Sequence, residues 1–402
     1  MNIFVVNSGS SSIKYQLFTM PDDKPICSGL LERIGLEGST ITHKVFTGGT
    51  EKVIKKTMDL PDHEAGLKEV ARLLTDEECG VIKAPADINV VGHRVVHGGE
   101  SFAATVVITD EVKDEIRKLF PLAPLHNPAN LMGIEVAEKI FTTATQVAVF
   151  DTAFHQTMPE KAFRYAIPRS FYKDLGIRVY GFHGTSHKYV SEQAAKYLRK
   201  ADAKIISIHL GNGCSMAAIT AGKSIDTSMG FSPLSGLIMG TRSGDIDPSI
   251  IFHLVDELGY DVKQVKALLN KQSGMQGLTG YSDMRDILKA IADGDKEAEM
   301  AYEMYAYRIK KYIGAYAAVL NGLDAIVFTA GVGENDATIR NRVCANMEFL
   351  GVVFDNDVNT LRGTGIREVS ASTSAVRVLV VPTNEELEIT QQSYDLLRNV
   401  NS

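Results

Sequence analysis

The sequence predicts an α/β protein of more than one domain. Short β-branched apolar runs alternate with helix-period segments along the chain, as in sheets covered by helices. Several of these runs end in tips of glycine, serine and asparagine, the ends at which α/β sheets meet ligands. With 402 residues, 45% hydrophobic and 23% charged, the chain suits two or three cores and excludes disorder, collagen and coiled coil.

Ile3 to Val6 is an apolar run closed by Asn7-Ser8-Gly9-Ser10, and Ile13 to Phe18 resumes the pattern. Strand, small-residue tip and returning strand is the reading. Ile88 to Val91 and Gln146 to Phe150 are further strands. Between them Asp110 to Phe120 and Asn130 to Phe141 read as helices, with Pro121, Pro124 and Pro128 punctuating the gap. Ser186 is expected to cap a helix running to Arg199, with His187 on its surface. Lys204 to Ile208 is a strand leading to Leu210-Gly-Asn-Gly213, and Ser215 to Ile219 follows. Asp226 to Ser249 has no periodicity and reads as loop. Asp295 to Gly322 is the longest helical stretch, with Tyr305, Tyr312 and Tyr316 expected in the core and Asn321-Gly322 as its stop. Ala325 to Phe328 is a strand, Gly331 to Glu334 a glycine loop, and Ala337 to Leu350 a helix stopped by Gly351. After a last strand, Val376 to Val381, Thr383 and Glu386 suggest a capping box for a helix up to Leu397.

Set at an offset of 202, Val5 to Ser10 lies over Ser207 to Asn212. Both are strands entering small-residue tips, although only Gly9 and Gly211 are identical. The functional reading is a duplicated fold with two phosphate-facing hairpins.

Composition narrows the partners. A net charge of −7 is poor for polyanions and still allows a small anion in a local basic pocket. Cys27, Cys79, Cys214 and Cys344 are too sparse for a disulfide framework and stand at no metal-ligand spacing. Met1-Asn-Ile-Phe-Val-Val reads as a strand rather than a signal peptide, and no run of about 18 apolar residues occurs. A cytoplasmic protein with neither nucleic acid nor membrane as partner is expected.

Several constellations carry chemistry. Asn7-Ser-Gly-Ser-Ser-Ser-Ile-Lys14 offers hydroxyls, open backbone N–H groups and one lysine to an anion, or is an ordinary hairpin. His209-Leu-Gly-Asn-Gly213 and Gly331-Val-Gly-Glu-Asn335 repeat that character. In Gly92-His-Arg-Val-Val-His-Gly-Gly99, Arg94 ends a strand and suits bidentate binding of carboxylate or phosphate. His93 and His97 have the spacing of a helical zinc pair but lie on a strand. Asp151 follows a strand, as an active-site carboxylate or a helix cap. Arg242, in Met239-Gly-Thr-Arg-Ser-Gly-Asp245, is a second anion clamp or a surface arginine. Glu385 and Glu386 follow the last strand, placed to hold Mg²⁺ or to favour a helix N-terminus.

Together with Phe150-Asp-Thr-Ala-Phe-His155, Tyr180-Gly-Phe-His-Gly-Thr-Ser-His187 and Pro382-Thr-Asn-Glu-Glu386, these motifs resemble the acetate kinase family, in order and over nearly the whole chain. The resemblance implies two duplicated ribonuclease H-like domains of the actin/hexokinase/Hsp70 type flanking an active-site cleft. It implies a first domain of 1–151 plus 385–402, a second, nucleotide-binding domain of 152–384, and a homodimer. It implies reversible acetyl phosphate formation from acetate and ATP, giving ADP, with Mg²⁺ or Mn²⁺ in its place. Residue by residue, it implies Asn7 and Glu385 at the metal and Arg94 on the substrate carboxylate. Val96, Leu125, Phe182 and Pro233 correspond to the pocket for the acetate methyl. Ser10, Ser12, Lys14, His209, Leu210, Gly211, Asn212 and Gly213 correspond to nucleotide contacts. So do Asp283, Met284, Arg285, Gly331, Val332, Gly333, Glu334 and Asn335. Asp151 corresponds to an acid/base residue, His183 and Arg242 to transition-state stabilisers. Because acetate is ionised at neutral pH, Asp151 is expected instead to orient Arg94 or a metal-bound water. A short-chain acyl kinase with another alkyl preference, a nucleotide-driven switch and a small-anion sensor are the competing functions. Two arginines suited to anions favour an enzyme over a switch.

Overall fold

The structure is a computed structural model that describes residues 1–400. The last two residues of the expected first domain, 401–402, lie outside the described residues. The chain divides into two compact units, Met1–Ala153 with the chain from Asn384, and Phe154–Thr383. No helix among the described residues is long and apolar enough to cross a membrane.

The first unit holds β1 (Asn2–Ser8), β2 (Ser12–Thr19), β3 (Pro25–Glu32), β4 (Ser39–Thr47), β5 (Thr50–Met58), β6 (Val90–Val95), β7 (Val106–Val107) and β8 (Thr145–Phe150). They form one sheet in the order β5-β4-β3-β2-β1-β6-β8-β7. The second unit holds β9 (Lys204–Leu210), β10 (Cys214–Thr220), β11 (Lys223–Thr227), β12 (Ala325–Thr329), β13 (Arg367–Glu368) and β14 (Arg377–Val380). Their order is β11-β10-β9-β12-β14-β13. Without β4 and β5 the first sheet matches the second strand for strand. In each, two antiparallel pairings precede two parallel ones and a last antiparallel one. The offset of 202 lays β1 over β9 end to end.

The parallel strands are buried on both faces, which explains their unbroken Val, Ile and Phe. One face of the first sheet packs Phe4, Ile13, Tyr15 and Leu17 against Leu67, Val70 and Leu74 of the helix His63–Leu74. On the other, Ile3, Val5, Val90, Val147 and Val149 meet Ile389 of the helix Glu385–Val400. Gly92 permits that approach, since a Cβ there would stand 2.9 Å from Ile389 Cγ2. The second sheet buries Ile205, Ala217, Ile219, Val327 and Leu379 with Val190 and Ala194 of the helix Gly184–Leu198.

Some element bounds and caps differ from expectation. The helix expected from Asn130 starts at Asn127, because Pro128 sits in its first turn, where a missing N–H costs nothing. The helix expected over 337–350 spans Ala337–Cys344; Ala345 is extended, Asn346 is left-handed, and Glu348–Leu350 is a separate 3₁₀ turn. The glycine loop at 331–334 lies in a short helix, Ala330–Asn335, entered through a left-handed Ala330. Asn384 rather than Thr383 caps the last helix, its Oδ1 accepting from the Leu387 N–H at 3.1 Å.

Candidate active site

In the first unit the adjacent parallel strands β1, β6 and β8 end at one edge. Their carboxyl ends bring together Asn7, Arg94 and Asp151, the end of an α/β sheet at which ligands bind. Arg94 grips Asp151 with both faces of its fork, Nη2 to Oδ2 at 2.5 Å and Nε to Oδ1 at 3.1 Å. Its Nη1 donates to Asn7 Oδ1 at 3.3 Å, and Glu385 Oε2 lies 3.9 Å from Nε. Asp151 is 1% exposed and its carboxylate pairs with Arg94. Burial pushes the Glu385 carboxyl up to about 7, Arg94 pulling it down and Asp151 and Glu386 pushing it further up. Lys14 Nζ pairs with Glu386 Oε1 at 2.6 Å. Ser10 is exposed on the β1–β2 tip and Ser12 is half-buried at the start of β2.

This edge is braced by residues the sequence left anonymous. The Val96 N–H donates to Asn130 Oδ1, and Asn130 Nδ2 donates to the Ser8 carbonyl at 2.8 Å, tying the loop after β6 to the β1 tip. Asn127 exchanges two hydrogen bonds with the His97 backbone, and Thr152 Oγ1 accepts from the Gly98 N–H. His93 donates to Gln146 from inside the sheet, and burial brings its pKa down to about 4. His97 Nδ1 accepts from the Gly99 N–H. Both rings are therefore engaged in structural bonds. Among the described residues no three His, Cys, Asp or Glu gather as a metal cluster.

In the second unit the tip between β9 and β10 holds Gly211, Asn212 and Gly213. A Cβ at Gly213 would lie 3.5 Å from both His183 Nε2 and Arg242 Nη1, so these two groups converge on the tip. Arg242 is half-buried, and burial lowers its pKa. Its guanidinium donates to the Pro233 carbonyl at 2.7 Å and reaches Met239 Sδ at 3.6 Å; among the described residues it has no carboxylate partner. Pro233 thus stands beside Arg242, and Phe182, which precedes His183, is buried with its carbonyl accepting from His155 Nε2. Val96 is buried and Leu125 is 61% exposed in the first unit.

His183, itself left-handed, opens the helix Gly184–Leu198, so Ser186 is inside that helix instead of capping it. Ser186 Oγ bonds His209 Nδ1 and Thr383 Oγ1, both at 2.9 Å. His187 is fully buried, a correction to the surface position expected for it.

A cavity of about 740 Å³ opens beside the tip. Gly211, Asn212, Asp283, Met284, Arg285, Gly331, Val332 and Asn335 line it, as do Gly240, Met275, Ser282, Leu288, Tyr305, Asp336, Ala337 and Thr338, which the sequence reading missed. Asp336 was findable: it caps the helix Ala337–Cys344 directly after the glycine segment, its Oδ1 accepting from the Thr338 and Ile339 N–H groups. His209, Leu210, Gly213, Gly333 and Glu334 do not line the cavity. Glu334 Oε1 accepts from the Ala330 and Thr383 N–H groups, and the fully buried Arg340 donates to the Gly333 carbonyl at 2.8 Å. Asp283 caps the helix Met284–Ala292 and clamps Arg285; those bonds hold its pKa down to about 2.

The family described as the acetokinase family matches residues 2–391. The chain belongs to that family. As a member it is a phosphotransferase of the acetate kinase type. It is 57% identical over 399 residues to an acetate kinase of Flavobacterium johnsoniae, covering 99% of this chain and 100% of the relative. It is 54% identical to an acetate kinase of Thermotoga maritima, over the whole of both chains. Among solved structures, Porphyromonas gingivalis acetate kinase superposes with a TM-score of 0.92 at 46% identity, over 98% of this chain and 99% of that one. A propionate kinase from Francisella tularensis superposes with 0.91 at 42% identity, over 97% and 98%.

Proposed function

We propose that the chain moves the γ-phosphoryl group of ATP directly and in line to the carboxylate of acetate, reversibly and with Mg²⁺. The observation that carries this reading is Arg242, a half-buried cation without a carboxylate partner among the described residues, converging with His183 beside a nucleotide-sized cavity. A buried charge without a counter-ion is costly, and an anionic ligand supplies one.

Arg94 holds the acid's carboxylate, and Asp151 holds Arg94. Val96, Leu125, Phe182 and Pro233 meet the methyl group. The cavity takes the nucleoside, with Asp283, Met284, Arg285, Gly331, Val332 and Asn335 in its lining. Ser10, Ser12, Lys14 and the 209–213 tip hold the phosphates. Two anions must approach each other, so cationic groups are needed before any gain in rate. Arg242 and His183 then donate to the equatorial oxygens, where negative charge spreads during transfer. Acetate needs no base to attack, so Asp151 keeps its proton state and acts through Arg94.

Asn7 and Glu385 supply oxygen donors only, one amide and one carboxylate raised by burial, and this set fits a hard divalent cation that shares its shell with phosphate. When bound, Mg²⁺ or Mn²⁺ neutralises phosphate oxygens. A cytoplasmic homodimer completes the proposal.

A propionate-preferring enzyme is the second reading, favoured by the near-equal likeness to a propionate kinase. The test is acyl phosphate formation trapped as the hydroxamate, with ATP, Mg²⁺ and acetate, propionate or butyrate, and an EDTA control. Metal-dependent product with acetate preferred supports the first reading. Propionate preference supports the second, and no product with any acid refutes both.

A further inference from the structure

Behind His183 runs a buried chain of hydroxyl and imidazole groups that phosphoryl transfer as described leaves unused. Ser215 Oγ bonds His183 Nδ1 at 2.9 Å and His187 Nε2 at 2.7 Å. His187 Nδ1 bonds Ser207 Oγ at 2.9 Å. His187, Ser207 and Ser215 are all 0% exposed, so water does not compete for these bonds. His187 packs edge-on against His155 and His209, and the His209 ring stacks on His183 with centroids 4.2 Å apart, fixing its plane.

Proton counting limits what this chain can do. A serine hydroxyl has one hydrogen, so Ser215 cannot donate to both rings at once. Burial, with His155 and His209 beside it, holds the His187 pKa well below the ordinary value, so His187 carries a single N–H. With His183 neutral as well, three orders are open, because the Ser215 oxygen can also accept from both rings. In the first, Ser207 donates to His187 Nδ1, His187 Nε2–H donates to Ser215, and Ser215 donates to His183 Nδ1. The remaining His183 proton must then sit on Nε2, the nitrogen that converges with Arg242 on Gly213. In the other two His183 Nδ1 donates to Ser215 and Nε2 is a bare acceptor, which repels a phosphoryl oxygen.

We propose that Ser207, His187 and Ser215 are positioning residues that set the tautomer of His183, so that its Nε2–H faces the transferring phosphoryl group. The inference rests on the reading of His183 as a transition-state donor. A group hydrogen-bonded to one nitrogen of an imidazole commonly fixes its tautomer in this way. Here the fixing group is itself a histidine, joined to the working one through a single hydroxyl.

The test uses the full-length enzyme labelled with ¹⁵N in its histidines, with the His183 signals assigned by comparison with His183→Ala. Wild type is expected to show His183 protonated at Nε2 in the presence of Mg²⁺, ADP and acetate. Ser215→Ala removes one buried oxygen; it should turn His183 into a tautomer mixture and lower kcat about tenfold, with KM for ATP unchanged. His187→Gln keeps a donor toward Ser215 and should restore both readouts relative to His187→Leu. In a double-mutant cycle, Ser215→Ala should cost nothing further once His183 is alanine.

An unmoved His183 tautomer in Ser215→Ala, or an equal loss of kcat in the His183→Ala background, overturns the proposal. If His183→Ala itself leaves kcat intact, the donor role of His183 falls first and the proposal falls with it. If His183→Ala is slow while Ser215→Ala matches wild type, the positioning role alone fails.

Discussion

Asp151→Asn separates an orienting carboxylate from a proton-transferring one. The exchange keeps shape and one acceptor but sets an NH₂ group against a guanidinium N–H. Of the two hydrogen bonds to Arg94, at 2.5 and 3.1 Å, one is lost. A charge-assisted bond contributes about 1.5–3 kcal/mol, and removing one partner of a buried pair costs about 3–5. Asn7 and Glu385 still flank Arg94, so the lower range applies, about 2–3 kcal/mol. If Arg94 misplacement carries that loss into the transition state, kcat/KM for acetate falls about 30- to 150-fold, at about 1.4 kcal/mol per factor of ten. KM for ATP stays within about twofold. A general base contributes a similar factor, so the size of the loss alone is indecisive. The pH dependence of kcat/KM decides. An orienting Asp151 leaves the ionisations of the profile in place at a lower plateau. An acidic limb present in wild type and absent only from Asp151→Asn would refute the reasoning.

Four further outcomes are expected. Arg242→Ala should lower kcat by about 10²–10³ in folded protein, the scale of losing a preorganised donor; an unchanged kcat removes Arg242 from the chemistry. Gly213→Ala adds a methyl at ordinary contact distance, 3.4 Å from His183 Cε1, so Tm should hold while kcat drops at least about tenfold as the methyl takes the phosphoryl's place; full activity would show that the convergence is not the transfer site. Because a metal ligand must be deprotonated and burial pushes Glu385 up to about 7, calorimetric Mg²⁺ affinity should weaken by about tenfold per pH unit below 7, and a flat profile would exclude Glu385. His93, His97 and His155 are pulled by burial to about 4 from 6.5, so the native state refuses protons that the unfolded chain accepts; each contributes up to about 3 kcal/mol above pH 6.5 that is lost as pH falls toward 4. His155→Gln, which keeps a donor for Phe182, should lose less Tm across that window than wild type.

The parts legible in sequence are those whose signal is local. The tips at 7–12 and 209–213 show as small residues closing apolar runs, and Arg94 shows as a charge at the end of one. The long helix, found as Lys296–Leu320, shows through its period; Tyr305 and Tyr316 are buried in it as expected, while Tyr312 is only half-buried and bonds Asp245. What escaped depends on distant partners. His187 looks like a polar surface residue until β9 and β10 deliver Ser207 and Ser215 from 20 and 28 residues away. Asn130 reads only as the start of a helix until its amide, with that of Asn127, meets the backbone after β6. The lysine-rich β5 has no strand pattern of its own and is a strand because β4 pairs with it; its charges blunt an exposed sheet edge.

The helix Glu385–Val400 closes a sheet whose first strand begins at Asn2. During synthesis this has a temporal consequence. The ribosome delivers β1 well before its cover, so the Ile3, Val5 and Val147 face waits bare while more than two hundred intervening residues are made and can fold as a unit of their own. The sequence-distant pairing delays completion of the earlier-born unit. The same 16-residue helix carries Glu385 beside Arg94, so the cover of the sheet and the carboxylate proposed for the metal arrive in one event. A chain released short of residue 384 would lack the cover and the carboxylate together, and a stalled or truncated product would be betrayed by its exposed surface before it could consume ATP.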